Sequence, residues 1–176
     1  MKRLLTYFLL LTALGLVTAC GWQLRGAPSL PDEMSVIYID TRNPHGRLAR
    51  ELTRLLDSGD ARVTRKRDEA TAVLRILDTS SQRRVLSVNL AGRPEEIRVI
   101  YRVEFDVRSA RGETLIERQR MVLNRDISTD PADPLGASQE ASRLAQALEE
   151  EIVQSVVLRI QALARNLPEN DNGPTK

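Results

Sequence analysis

The chain has 176 residues, 41% of them hydrophobic and 28% charged, with one Cys and one His; the length suits one domain with appendages, and the apolar share excludes a wholly disordered chain. A lone Cys excludes an internal disulfide and a Cys-rich metal site, and the lone imidazole, His45, excludes a multi-histidine metal cluster. Lys and Arg total 26 against 24 Asp and Glu; without Lys2 and Arg3, which fall in an N-terminal leader, 24 of each sign remain, so global charge gives no support to nucleic-acid binding.

Residues 1–19, MKRLLTYFLLLTALGLVTA, have the parts of an export signal: basic Lys2 and Arg3, an apolar run from Leu4 to Val17, and a small-residue exit. Val17-Thr18-Ala19-Cys20 resembles a bacterial lipobox, which implies that the Cys20 thiol takes a diacylglyceryl group and its amine a further acyl chain. Several acyl chains anchor stably where one binds only marginally. A transmembrane anchor from Leu4 to Leu24 and a buried free thiol at Cys20 are the alternatives. Residues 20–34 follow as an extended, lipid-anchored segment in which Pro28 and Pro31 block a helix.

The domain is expected over 35–167. Ser35–Asp40 is a short strand of β-branched and aromatic residues. Asn43-Pro44 reads as an N-cap with Pro at the first helical position, which places His45 in the first turn of a helix carrying Leu48, Leu52, Leu55 and Leu56. Ala72–Leu77 begins a second strand, which Arg84–Val88 continues after a polar break. Gly92 and Pro94 mark a turn. Ile97, Val99, Tyr101, Val103, Phe105 and Val107 then alternate with Arg98, Ile100, Arg102, Glu104, Asp106 and Arg108, the clearest half-buried strand of the chain. Arg111-Gly112 signals a hairpin, and Thr114–Arg125 pairs back. After a polar loop over 127–136, Leu144, Leu148, Ile152, Val156, Ile160, Leu163 and Leu167 form an apolar helical stripe that Pro168 ends. Residues 169–176 read as a polar tail, so the ordered domain ends near 167 and a disordered tail spans 168–176.

This order, β-α-β-β-β-α, predicts an α+β two-layer sandwich: a mostly antiparallel four-stranded sheet with both helices on one face. The leucine stripe has a second reading as a coiled-coil seam, but the sheet then has nothing to cover it.

Cys20-Gly21-Trp22-Gln23-Leu24-Arg25 resembles the mature start of the LptE family, lipopolysaccharide-assembly lipoproteins of Gram-negative outer membranes. Pro31, Met34, Val36 and Asp40 fit that family's first strand, and Asn43-Pro44, Gly46, Leu48 and Arg50 fit the opening of its first helix. The resemblance implies a non-enzymatic partner of the LptD β-barrel that plugs the lumen, supports barrel assembly and binds lipopolysaccharide. It implies anchorage in the periplasmic leaflet of the outer membrane through acylated Cys20, without cofactor or nucleic acid. A different class, an adaptor or pilotin of another envelope machine, is the alternative.

The residues alone offer no base–nucleophile pair for a hydrolase, and His45 reads as a helix-start or surface histidine. Glu95-Glu96 and Asp130/Asp133 read as solvated carboxylates. The arginines are more informative: the mature chain has 22 Arg and two Lys, and a guanidinium suits phosphate beside acyl chains. Genomic composition is the competing cause. Arg83, Arg84, Arg93, Arg98 and Arg102 gather around one expected hairpin and form the candidate lipopolysaccharide-binding set.

Overall fold

The computed structural model describes residues 30–59 and 61–167; the expected leader, Cys20, most of the 20–34 segment and the 168–176 tail lie outside the described residues. The elements are β1 (Val36–Asp40), α1 (Arg47–Asp57), β2 (Arg62–Thr64), β3 (Ala72–Val88), β4 (Pro94–Ser109), β5 (Thr114–Ser128) and α2 (Pro134–Ala164), with short 3-10 turns at Asp32–Met34 and Arg67–Glu69. Met34 is fully buried, so the core begins just ahead of β1.

The expected α+β sandwich needs one correction. The sheet has five strands, not four, in the order β2-β1-β3-β4-β5, and it is mixed. β1 runs parallel to both β2 and β3, while β3, β4 and β5 form the antiparallel meander. The extra strand is Arg62-Val63-Thr64, too short and too charged to show a period. It exists because α1 makes a crossover that returns the chain parallel to β1.

Helix α1 also starts later than Asn43-Pro44 suggests. Gly46 N donates to Asn43 O at 3.1 Å, closing a turn first, and Gly46, extended, is the N-cap. A Cβ on Gly46 would sit 2.9 Å from the Asn43 side chain and 3.1 Å from its carbonyl oxygen, so a larger residue there would push the Asn43 side chain aside. His45 therefore lies in the turn before the helix. Nor does a polar break divide β3, which is continuous through Asp78–Gln82 with a register shift between Ile76 and Asp78. Backbone pairing to β4 carries it where side-chain pattern fails. The two hairpin turns hold Gly92 at φ 74° and Gly112 at φ 92°, a region that favours glycine.

Both helices cover one face. Val99, Tyr101, Val103, Phe105 and Val107 of β4 point into the core and meet Leu148, Ile152, Val156 and Ile160 of α2. Val153, Val157 and Ala164 widen that stripe, and α1 contributes Leu48, Leu52 and Leu56. Burial, with the Glu149 carboxylate beside it, pushes the Tyr101 phenol above its usual range. The stripe is therefore core and not a free seam. Asp133 caps α2, its Oδ1 accepting from Gly136 N at 2.9 Å, with Pro134 opening the helix.

The opposite face is polar and held by ion pairs. Arg75 donates to both oxygens of Asp106. Arg120 Nε reaches Glu104 at 2.5 Å, and Arg98 grips Asp126 with two bonds of 2.7 Å. Glu104 and Asp106 are buried although no helix covers them, because the arginine stems lie over them.

Candidate functional site

The β3–β4 hairpin runs past the core, and its far end is the site. Asn89 N donates to Arg93 O at 2.9 Å, and the Asn89 side chain accepts from Ala91 N and Arg93 N, both at 3.0 Å. This turn fixes Arg93, whose Nη1 donates to Pro131 O at 3.2 Å, tying the hairpin to the loop before α2. Thr129 Oγ1 donates to Pro94 O and Thr129 N to Glu95 O, each at 2.8 Å, and fastens the same loop.

Between hairpin, loop and the start of α2 opens a cleft of about 570 Å³, lined by Arg83, Arg93, Ile97, Pro131, Ala137 and Ser138 among others. Arg83 reaches into it across the sheet edge, donating to the hydroxyls of Ser138 (3.3 Å) and Ser142 (2.7 Å). The carboxylates nearby are occupied locally: Asp130 Oδ1 accepts from Ala132 N and Asp133 Oδ1 from Gly136 N. Two guanidinium groups thus meet a mostly apolar cleft, and among the described residues no carboxylate is directly paired to either. Beyond it the hairpin tip exposes Val85, Leu86, Val88 and Leu90.

The sheet divides the five arginines singled out from sequence. Arg83 stands opposite Val99 in the ladder, on the helix-covered face, and Arg93 joins it at the cleft. Arg84 stands opposite Arg98, and Arg102 opposite Ser80, on the polar face. Strand parity causes this, since neighbours in a strand point to opposite faces. Arg98 is paired with Asp126; among the described residues Arg84 and Arg102 have no ion-pair partner. The bond from Arg98 holds the Asp126 carboxyl below the usual range. The loop residues Thr129 and Pro131, which complete the cleft, carry no periodic signal and escape a sequence reading.

His45 lines a different opening, about 830 Å³ between α1 and the β1–β2 edge. Most of its charged groups are spent on the fold: Arg50 donates to the His45 carbonyl, Arg54 to Glu51, and Asp57 accepts from Val63 N, while Arg65 also lines it. Glu96 accepts from Ser87 Oγ at 3.2 Å. Among the described residues no three His, Cys, Asp or Glu side chains are placed to share a metal, and no helix is long and apolar enough to cross a membrane.

Solved structures share this architecture. The lipoprotein B of Nitrosomonas europaea superposes with a TM-score of 0.69 at 24% identity, covering 83% of this chain and 94% of that one. The rare lipoprotein B of Shewanella oneidensis gives 0.65 at 21%, covering 74% and 97%. The fold is thus one found among bacterial lipoproteins. Residues 34–160 match the LptE family, described as Lipopolysaccharide-assembly, and the chain belongs to it. The LPS-assembly lipoprotein LptE of Photorhabdus laumondii is 28% identical over 159 residues, 90% of this chain and 85% of that protein. Its namesake from Pectobacterium atrosepticum is 25% identical over 182 aligned positions, covering 98% and 96%.

Proposed function

We infer that the chain is a lipid-anchored accessory subunit of the outer-membrane machine that assembles lipopolysaccharide, working with an LptD-type β-barrel and carrying out no chemistry of its own. The observation that carries this reading is membership of the LptE family across 34–160. Acylated Cys20 tethers it to the periplasmic leaflet of the outer membrane. The domain enters the barrel lumen as a plug, where a polar sheet face with its own ion pairs suits a hydrated wall.

Lipopolysaccharide binds at the hairpin cleft. A lipid A phosphate takes the guanidinium forks of Arg83 and Arg93, exchanging the neutral Ser and carbonyl acceptors they now hold for a charged one. The exposed apolar tip from Val85 to Leu90 takes part of an acyl chain. Arg84, Arg98 and Arg102 lie on the other face and turn toward the barrel instead.

The test is lipopolysaccharide affinity of the purified lipoprotein. A charge-assisted contact is worth about 1.5–3 kcal/mol, so Arg83→Ala and Arg93→Ala each weaken binding by at least roughly tenfold. Arg102→Ala leaves it within about twofold. Equal losses from all three overturn the cleft assignment.

A further inference from the structure

The cleft beside His45, about 830 Å³, has the size of a small-molecule site and no part in the reading above. Its origin is topological. β2 pairs with β1 only from Val36 to Tyr38, while β1 runs on to Asp40. Helix α1 walls the gap that the short strand leaves, and the half-buried Tyr38, Ile39 and Val63 give it an apolar floor.

The charges around it are one-sided. Arg50, Arg54 and Arg65 line it with His45, against one carboxylate, Asp57. That carboxylate accepts from Val63 N at 2.7 Å. Arg65 has no hydrogen bond or ion pair among the described residues, and neither has the Tyr38 hydroxyl. Arg50 holds only a neutral acceptor, the His45 carbonyl. Arg54 shares Glu51 in an exposed pair one helical turn apart, a contact that exchanges readily.

An acidic peptide and an anionic amphiphile both suit a cationic cleft with an apolar floor. The strand edge decides between them. A peptide gains most by adding a strand to an open edge. Here Arg62 N donates to Ser35 O, so the next amide, that of Val63, points outward, and Asp57 already takes it. A phosphate needs no ladder. It accepts the planar forks of two guanidinium groups at once, and the floor takes the first carbons of an acyl chain out of water.

We propose that this cleft binds a phosphate-headed, acyl-bearing lipid, its phosphate held by Arg65 and Arg50 and its chain laid over Ile39 and Val63. A membrane glycerophospholipid and lipid A share that chemistry. The site has no residue in common with the hairpin cleft and does not depend on lipopolysaccharide binding there.

His45 is the chain's one imidazole, so its ring proton gives a single NMR signal from within the cleft. Full-length lipoprotein in dodecyl maltoside micelles is titrated separately with phosphatidylglycerol, lipid A, phosphatidylcholine and inorganic phosphate. Phosphatidylglycerol, lipid A or both move the His45 signal to saturation, and those that do so identify the source. Phosphatidylcholine, whose choline cancels the charge, and inorganic phosphate, which lacks the chain, bind at least about tenfold more weakly. Arg65→Ala weakens the effective lipid at least about fivefold. Arg111→Ala, which removes the same charge from the β4–β5 turn, changes it by less than about twofold. Both side chains are exposed, so circular dichroism is the same for both variants as for the wild type. A His45 signal unmoved by either anionic lipid overturns the proposal. So does an equal response to phosphatidylcholine or to inorganic phosphate, or an Arg65→Ala variant that binds like Arg111→Ala.

Discussion

Arg75→Met probes what holds the uncovered face of the sheet. Both Asp106 oxygens accept from the Arg75 guanidinium, through Nε at 2.7 Å and through Nη2. Asp106 is 6% exposed, and no other hydrogen bond to its side chain is present among the described residues. Removing the partner of a buried charge costs about 3–5 kcal/mol, and breaking an exposed pair about 0.2–1 kcal/mol. The Arg75 side chain is 28% exposed, so water relieves part of the loss and the expected cost is about 2 kcal/mol. For a domain of this size that lowers the melting temperature by roughly 5–10 °C in calorimetry at neutral pH. Adding Asp106→Leu removes the stranded carboxylate and brings stability back to within about 1 kcal/mol of the wild type. A single variant that melts with the wild type, or a double variant no better than the single, refutes the reasoning.

Other outcomes follow from the same geometry. Phe105 is fully buried between β4 and the helices, and Phe105→Ala costs about 3–5 kcal/mol, read as a lower urea midpoint. A Cβ at position 136 would overlap the Asp133 carboxylate, so Gly136→Ala breaks the α2 cap at a cost of about 1 kcal/mol and speeds amide exchange in its first turn. The hydrogen bond from Arg98 holds the folded-state Asp126 carboxyl below its usual range. Its stabilisation is therefore complete above the unfolded pKa and is lost as pH falls through the lowered one. In Arg98→Ala the carboxyl resonance of Asp126 titrates at higher pH than in the wild type; an unmoved midpoint contradicts the pairing.

Much of the fold is legible because the strong patterns belong to the elements that bury most surface. The alternation from Ile97 to Val107 became the central strand of the meander, and the stripe from Leu148 to Ile160 became the helix over it. Weak local signals failed where topology decided. Arg62-Val63-Thr64 has no period of its own and is a strand only because α1 delivers it beside β1. Asn43-Pro44 has the chemistry of a helix start, but the tight turn to Gly46 moved that start downstream. The arginines were visible as a group in sequence, yet a single step of strand parity separates Arg83 from Arg84. The cleft's other wall, around Thr129 and Pro131, comes from a loop whose position only the folded hairpin defines.

The central claim is partnership with the barrel. Affinity-tagged, lipidated protein is drawn from detergent-solubilised outer membranes, and the co-purifying chains are identified by mass spectrometry. The account predicts a stoichiometric β-barrel of the LptD type. No barrel, or a stoichiometric partner from another envelope machine, contradicts it and gives the chain the role of a lipid-anchored adaptor or pilotin.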